Sequence, residues 1–309
     1  MEKLFSFLPK AVSDQLRHLS HAELMRAEEI RIRINRPIEI NVGGKALFLS
    51  YIATLEDGVQ LLNKLSNFSM YTLEEELKRG YITIAGGHRV GLAGKVILDG
   101  GKVKSIRDVG SFNIRIAKEK IGTADVFAPF LYGAGWKHTM IIGPPQTGKT
   151  TLLRDIARLI SKGCSKRSIP ACKAGIIDER SEIAGCLNGI PQFTFGPRID
   201  VLDSCPKAEG MMMMIRSMSP DVIVVDEAGS VEDAAAILEA ANAGITLLMT
   251  VHGKSLLDIR RRPVMKEIIE EGIFERYIEL SREAEQGNTA CIKDNLGKVI
   301  KSKIKVRIA

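Results

Sequence analysis

The run Gly143-Pro144-Pro145-Gln146-Thr147-Gly148-Lys149-Thr150 has the residue types and spacing of a loop that cradles phosphate. Glycines at its two ends let the backbone curl until its N–H groups face phosphate oxygens, and a helix starting where the loop ends adds the positive end of its dipole. Lys149 is placed to reach the β and γ phosphates, the Thr150 hydroxyl suits a magnesium ion, and Thr151 completes the binding stretch. The expected ligand is therefore ATP with Mg2+. A cradle alone binds nucleotide without positioning the metal shell or the attacking water, so carboxylates are needed nearby. Val222-Ile223-Val224-Val225-Asp226-Glu227 supplies them: an apolar strand that ends in two acids delivers both to the carboxyl edge of a sheet, where open α/β sheets bind ligands. Asp226 is expected to anchor Mg2+ through water and Glu227 to orient or deprotonate the hydrolytic water. A second strand, 174–178, ends in Asp178 and Glu179, and a third, 245–251, runs to His252, a candidate γ-phosphate sensor. Arg154, one turn beyond Thr150, reads as a surface group.

These groups need elements to hold them, and the pattern around them supplies strands alternating with helices. The expected order is strand 139–142, helix 150–162, strand 174–178, helix 211–218, strand 222–226, helix 231–243 and strand 245–251, a βαβ architecture with a mainly parallel sheet. Beyond Ser255 follow a basic helical stretch containing Arg260-Arg261-Arg262, read as a solvated helix face, a strand at 277–283 and a hairpin turning at Asp294-Asn295-Leu296-Gly297. Met211 to Met214 read as helix packing rather than a ligand site.

Upstream the periodicity is different. Ile30, Ile32 and Ile34 alternate with Arg31, Arg33 and Asn35, and Pro37 resets the chain into a second half-buried strand ending at Val42. A Gly43-Gly44 turn and two short helical stretches follow, the second opening with a capping box at Thr72-Leu73-Glu74-Glu75 and closing at Gly80. Strand-like segments from Tyr81 to Ile116 are punctuated by Gly86-Gly87, Gly94 and the hairpin signal Asp99-Gly100-Gly101. Residues 1–120 thus read as a smaller α+β domain, 121–136 as a linker marked by Gly122, Pro129, Gly133 and Gly135, and 137–309 as the nucleotide-binding α/β domain.

Bulk properties narrow the class. With 309 residues, 45% hydrophobic and 26% charged, the chain is neither disordered nor fibrous, and its length suits two domains. The charge of +7 permits attraction to nucleic acid, an anionic membrane or nucleotide. Arg31, Arg33 and Arg36 offer a basic strand face, but aromatic residues for base stacking are scarce at 5%. Five scattered cysteines form neither a zinc pattern nor a disulfide framework. The first residues, broken by Pro9, are too short an apolar run for a signal segment, and no stretch is long and apolar enough to span a membrane.

Taken in order, Gly143–Thr150, Asp178-Glu179, Arg216 through Asp226-Glu227, and Ala243-Gly244 running into Thr250-Val251-His252 resemble the Walker A, Asp box, Walker B and His box of the secretion ATPases over residues 139–252. Segments 28–34, 86–91, 111–116 and 206–214 are similar, more closely still, to the stage III sporulation AA family of endospore-forming bacteria. The resemblance implies a RecA-like P-loop NTPase domain in a cytoplasmic, hexameric ATPase. Such an ATPase energises a secretion-like channel between mother cell and forespore, docks on integral membrane components and has no membrane span of its own. It also implies arginines that close over the phosphates, with Arg107 and Arg115 as candidates and Arg89, Arg180, Arg198 and Arg216 as others. Two departures stand out. Secretion ATPases commonly carry Gly-Glu where this chain has Asp226-Glu227, and their Glu-Asp pair appears here as Asp178-Glu179. The competing readings are a nucleic-acid-dependent RecA-like ATPase and a nucleotide-gated scaffold without turnover.

Overall fold

A computed structural model of the chain describes residues 2–66, 81–283 and 287–306, so the capping box at Thr72–Glu75 lies outside the described residues. The fold is α/β, and its contacts divide it into two compact units, one of residues 1–118 with 185–192, the other of residues 119–184 with 193–309.

The first unit opens with three short helices, α1 (Glu2–Phe7), α2 (Lys10–Arg17) and α3 (His21–Arg26). Sequence reading passed over them, although Ser20 and Glu23 form a reciprocal capping box at the start of α3. They lead into an antiparallel six-stranded sheet of β1 (Ala27–Arg33), β2 (Pro37–Val42), β3 (Lys45–Ile52), β4 (Ile82–Ile84), β5 (His88–Asp99) and β6 (Lys102–Arg115), with α4 (Leu55–Ser66) between β3 and β4. The order across the sheet is β3-β2-β1-β6-β5-β4. The isoleucine alternation holds within β1 and β2: Ile30, Ile32, Ile38 and Ile40 are fully buried with Phe112 and Ile114, and Leu4, Leu8, Val12 and Leu16 close over them, whereas Ile34, expected on the same face, lies past the end of β1 and is half-buried. Helices were expected directly after Gly43-Gly44, yet β3 comes first. It is an edge strand that leaves Phe48 and Ile52 exposed, so its hydrophobic alternation does not mark a single buried face.

The second unit is an eight-stranded sheet of β7 (Thr139–Gly143), β8 (Ala174–Asp178), β9 (Ile199–Asp203), β10 (Val222–Val225), β11 (Thr246–His252), β12 (Arg276–Glu283), β13 (Gly287–Asp294) and β14 (Val299–Lys305). Its order is β14-β13-β12-β7-β11-β10-β8-β9, with the run from β12 to β9 parallel and β13 and β14 antiparallel at one edge. Residues 123–131, inside the stretch read as a linker, form a 3-10 turn and α5 (Ala128–Leu131), and Phe127 and Leu131 are buried in the core.

Parallel strands are covered on both faces, which is why β10 reads as an unbroken apolar run. Val222 and Val224 face a layer built on Leu152, Ile156 and Ile160 of α6 (Lys149–Lys162). Ile223 and Val225 face the opposite layer, with Met211 and Met214 of α7 (Lys207–Met218) and Ile237 of α8 (Val231–Asn242). The methionine run thus fills core, and Met214 lies close enough to Gly175 that a Cβ there would sit 2.7 Å from it. Two short helices, α9 (Leu256–Ile259) and α10 (Pro263–Glu270), complete the unit. β9 had no expectation from sequence, because its half-buried residues give no clear period.

Candidate nucleotide site

The loop from β7 to α6 is shaped by residues that tolerate left-handed backbone. Gly148, at φ 84°, caps α6, and Gln146 takes φ 64°. Thr147 turns its hydroxyl inward to donate to the Pro144 carbonyl at 2.8 Å, and a Cβ at Gly143 would meet that hydroxyl at 2.5 Å. Glycine is therefore required at Gly143 for space. Pro145 and Gln146 face solvent, and Lys149 is buried.

Lys149 Nζ donates to the Pro144 carbonyl at 3.1 Å and lies 3.1 Å from His252 Nδ1. Burial lowers its pKa, while Asp226 and Glu227 pull it back up. Thr150 donates its hydroxyl to Asp226 Oδ2 at 2.7 Å, and the Thr250 hydroxyl donates to the other carboxylate oxygen. Thr250 in turn accepts the Glu227 backbone N–H at 2.8 Å. Glu227, in the left-handed region at φ 54°, sets one carboxylate oxygen 2.5 Å from His252 Nε2 and receives Arg180 Nη1 on the other at 2.7 Å. Burial raises the Asp226 pKa against the two threonine donors, with Glu227 adding to the rise. Lys149, Thr150, Asp226, Thr250, Glu227 and His252 therefore form one continuous hydrogen-bonded chain.

The donor set fits a hard cation. Thr150 commits its hydroxyl hydrogen to Asp226 and keeps oxygen lone pairs free, and oxygen donors from one hydroxyl and one carboxylate suit Mg2+, which retains waters and phosphate oxygens in the rest of its shell.

Asp178 and Glu179 reach the same edge but are engaged elsewhere. The Asp178 carboxylate accepts the N–H groups of Glu182, Ile183 and Ala184 at 2.7, 2.9 and 2.8 Å, which folds the acidic loop around it. Burial pushes its pKa up to about 6 against those three donors. Glu179 pairs with Lys207. Asp178, Glu179, Arg180, Glu182, Asp226 and Glu227 together line a cleft.

Two arginines correct the sequence reading. Arg154 is no free surface group: its Nε and Nη2 donate to the Ile183 and Glu182 carbonyls, each at 2.6 Å. Arg262, read as part of a solvated helix face, donates Nη1 to the His252 carbonyl at 2.5 Å and Nη2 to Asp258 at 3.1 Å. Sequence reading named Thr250 in the segment leading to His252 but gave it no role of its own, although strand alternation puts it on the same side of β11 as His252, two residues on. Arg198 donates to the Ala171 carbonyl, and Arg216 is exposed in the last turn of α7.

In the first unit Arg107 and Arg115 are exposed on β6, and Arg115 lies opposite Arg89 in the register. Arg89 stacks over Tyr81 at 4.4 Å. The basic strand face is partly neutralised, since Arg31 pairs with Glu29 at 3.1 Å and Arg33 with Glu39 at 2.6 Å.

The family profile described as "Sporulation stage III, protein AA" matches residues 2–300. The chain belongs to that family. It is 55% identical over 300 residues to stage III sporulation protein AA of Bacillus subtilis strain 168, covering 97% of each chain. Among solved structures, the ATPase DotB of Legionella pneumophila aligns with a TM-score of 0.60 at 18% identity, over 93% of this chain and 80% of its own. The pilus retraction motor PilT with bound ADP aligns with a TM-score of 0.58 at 17% identity, over 93% and 84%. At such identities these likenesses establish the RecA-like P-loop fold. Among the described residues no helix is long and apolar enough to cross a membrane.

Proposed function

We propose that this member of the sporulation stage III AA family is a Mg-dependent ATP hydrolase, a cytoplasmic motor that drives a secretion-like channel during endospore formation. The observation that carries the reading is the hydrogen-bonded chain that joins the P-loop residues Lys149 and Thr150 to Asp226 and Glu227 through Thr250 and His252. Nothing in a purely nucleotide-binding scaffold calls for Glu227, whose left-handed backbone is held by Thr250 beside the site.

ATP supplies the reactive phosphoanhydride, and Mg2+ held by Thr150 and Asp226 would neutralise phosphate charge there. Gly143, Pro144, Pro145, Gln146, Thr147 and Gly148 cradle the phosphates, with Thr151 beside them. Lys149 exchanges the Pro144 carbonyl and His252 for phosphate oxygens, and Thr150 and Asp226 hold the metal side. Glu227, held on one carboxylate oxygen by Arg180, takes a proton from the attacking water. His252, freed from Lys149, reports the γ-phosphate through its contact with Glu227. Asp178 shapes the acidic loop and Glu179 flanks it. Arg107 and Arg115 supply guanidinium groups to the spreading negative charge when subunits assemble, and the working form is a hexamer docked on integral membrane components. The pairing of Arg31 and Arg33 with glutamates weakens the nucleic-acid reading, so polynucleotide should not stimulate turnover.

The test compares phosphate release by wild type and Glu227→Gln, with native mass spectrometry with and without Mg-ATP. Turnover in wild type, and a variant that binds ATP, accumulates as a ring and does not turn over, is the expected result. If neither protein hydrolyses ATP in any assembly state, even with membrane partners added, the chain is a nucleotide-gated scaffold.

A further inference from the structure

Arg154 sits four residues beyond Thr150 on α6, so the two side chains share one face of the P-loop helix. Its guanidinium forks onto two consecutive carbonyls, Glu182 and Ile183, and stacks over the Phe193 ring at 3.8 Å. The N–H groups of those same two residues, with that of Ala184, point the other way and are taken by Asp178. The acidic loop is thus gripped on both sides of its peptide planes, from β8 by Asp178 and from the P-loop helix by Arg154. At its near end the loop carries Arg180, which is ion-paired to Glu227, and Ser181, at φ 52° and donating to Asp203 at 2.6 Å. The helix does not need Arg154 for its own packing, because Leu152, Leu153, Ile156 and Ile160 supply its buried face.

We propose that Arg154 is a positioning residue that locks the acidic loop to the P-loop helix, so that nucleotide held by Lys149 and Thr150 sets where Arg180 stands against Glu227. The inference rests on the nucleotide reading above and adds to it a mechanical link between the phosphate cradle and the catalytic acid. Arginine is suited to the task because its rigid planar fork matches two acceptors at once and stacks on an aromatic face. A lysine presents a single point charge.

The experiment follows amide hydrogen exchange at Glu182, Ile183 and Ala184 in the full chain, with and without Mg-ATP, for wild type, Arg154→Gln and Arg154→Lys, alongside steady-state ATPase measurements. In Arg154→Gln exchange at these three amides should rise at least tenfold while β7 and α6 stay protected. ATP should tighten the amides in wild type but not in Arg154→Gln, whose kcat should fall about tenfold with KM changed less than twofold. Arg154→Lys should recover part of each effect, and methylguanidinium should restore Arg154→Gln. In an Arg180→Ala background, Arg154→Gln should cost less than threefold in kcat, since Arg154 acts through that residue.

The proposal is overturned if the three amides exchange at the wild-type rate in Arg154→Gln. It is equally overturned if β7 or α6 loses protection along with them, or if the full effect on kcat persists without Arg180. Should wild type fail to hydrolyse ATP at all, the ATPase reading falls by itself, and the exchange measurement still decides whether Arg154 clamps the loop.

Discussion

Thr250→Val replaces a fully buried hydroxyl by a methyl group of the same shape and removes two hydrogen bonds at once. One is the donor to the Asp226 carboxylate, and bonds to charged groups contribute about 1.5–3 kcal/mol. The other accepts the Glu227 N–H, and leaving such a donor without a partner costs roughly a further 1 kcal/mol. A loss of about 3 kcal/mol lowers the melting temperature of a unit of this size by roughly 6–12 °C. The pH dependence is the sharper test. Burial raises the Asp226 pKa, so the stability this group contributes is fully present below its unfolded value and lost as pH rises through its folded value. The Thr250 donor limits that rise, and valine lets it grow. The gap in melting temperature between wild type and Thr250→Val should therefore be wider at pH 8 than at pH 5, read by thermal scans without nucleotide. An equal or wider gap at pH 5 would refute the argument, because it would mean that Thr250 does not stabilise the ionised carboxylate.

Asp178 gives a second pH signature. With its pKa pushed up to about 6, its contribution to stability is present below pH ~4 and is lost as pH rises through about 6. The shift corresponds to ~3 kcal/mol, so Asp178→Asn should flatten the urea-denaturation stability profile between pH 4 and 7. Gly143→Ala places a Cβ 2.5 Å from the Thr147 hydroxyl and 3.1 Å from Leu280 Cβ, which displaces the cradle. Binding of a fluorescent ATP analogue should weaken at least tenfold, and unchanged affinity would mean that the loop does not hold the phosphates. Arg262→Ala frees the His252 carbonyl and should lower kcat several-fold while leaving ATP affinity within twofold, measured by steady-state phosphate release.

Much of this architecture was legible because its signals are local. The P-loop declares itself by glycine spacing, and β10 by an apolar run cut off by two acids. The isoleucine alternation of β1 needs nothing beyond its own residues to be read. What escaped depends on contacts distant in sequence. Arg154 and Arg262 look like surface cations because arginines usually are, and it is tertiary placement that brings the 182–183 carbonyls to the first and the His252 carbonyl to the second. The Asp178-Glu179 pair invited a catalytic reading from its position at a strand end. Its loop then turns back so that three backbone donors claim Asp178, and Lys207 from α7 claims Glu179. β3 and β9 were missed because both are edge strands with little fully buried surface, so neither gives a clear one-sided hydrophobic signal.

The strand order explains why the site closes as it does. The P-loop strand β7 and the acid-bearing strand β10 are not neighbours, because β11 runs between them. His252 lies in register with Gly143 on one side, while Val225, the residue before Asp226, lies in register with Met249, the residue before Thr250, on the other. His252 on β11 therefore touches both halves, meeting Lys149 and Glu227, while Thr250, two residues earlier on the same side, binds Asp226 and Glu227, and Thr150 reaches Asp226 directly from the P-loop helix. In the proposed cycle, Lys149 turning toward phosphate gives up His252 Nδ1, whose other ring nitrogen faces Glu227. The proposed coupling between binding and the candidate base rests on the position of one strand: the motif at Thr250-Val251-His252 singled out His252, and the strand order, with β11 last in sequence yet lying between the other two, supplies its two contacts.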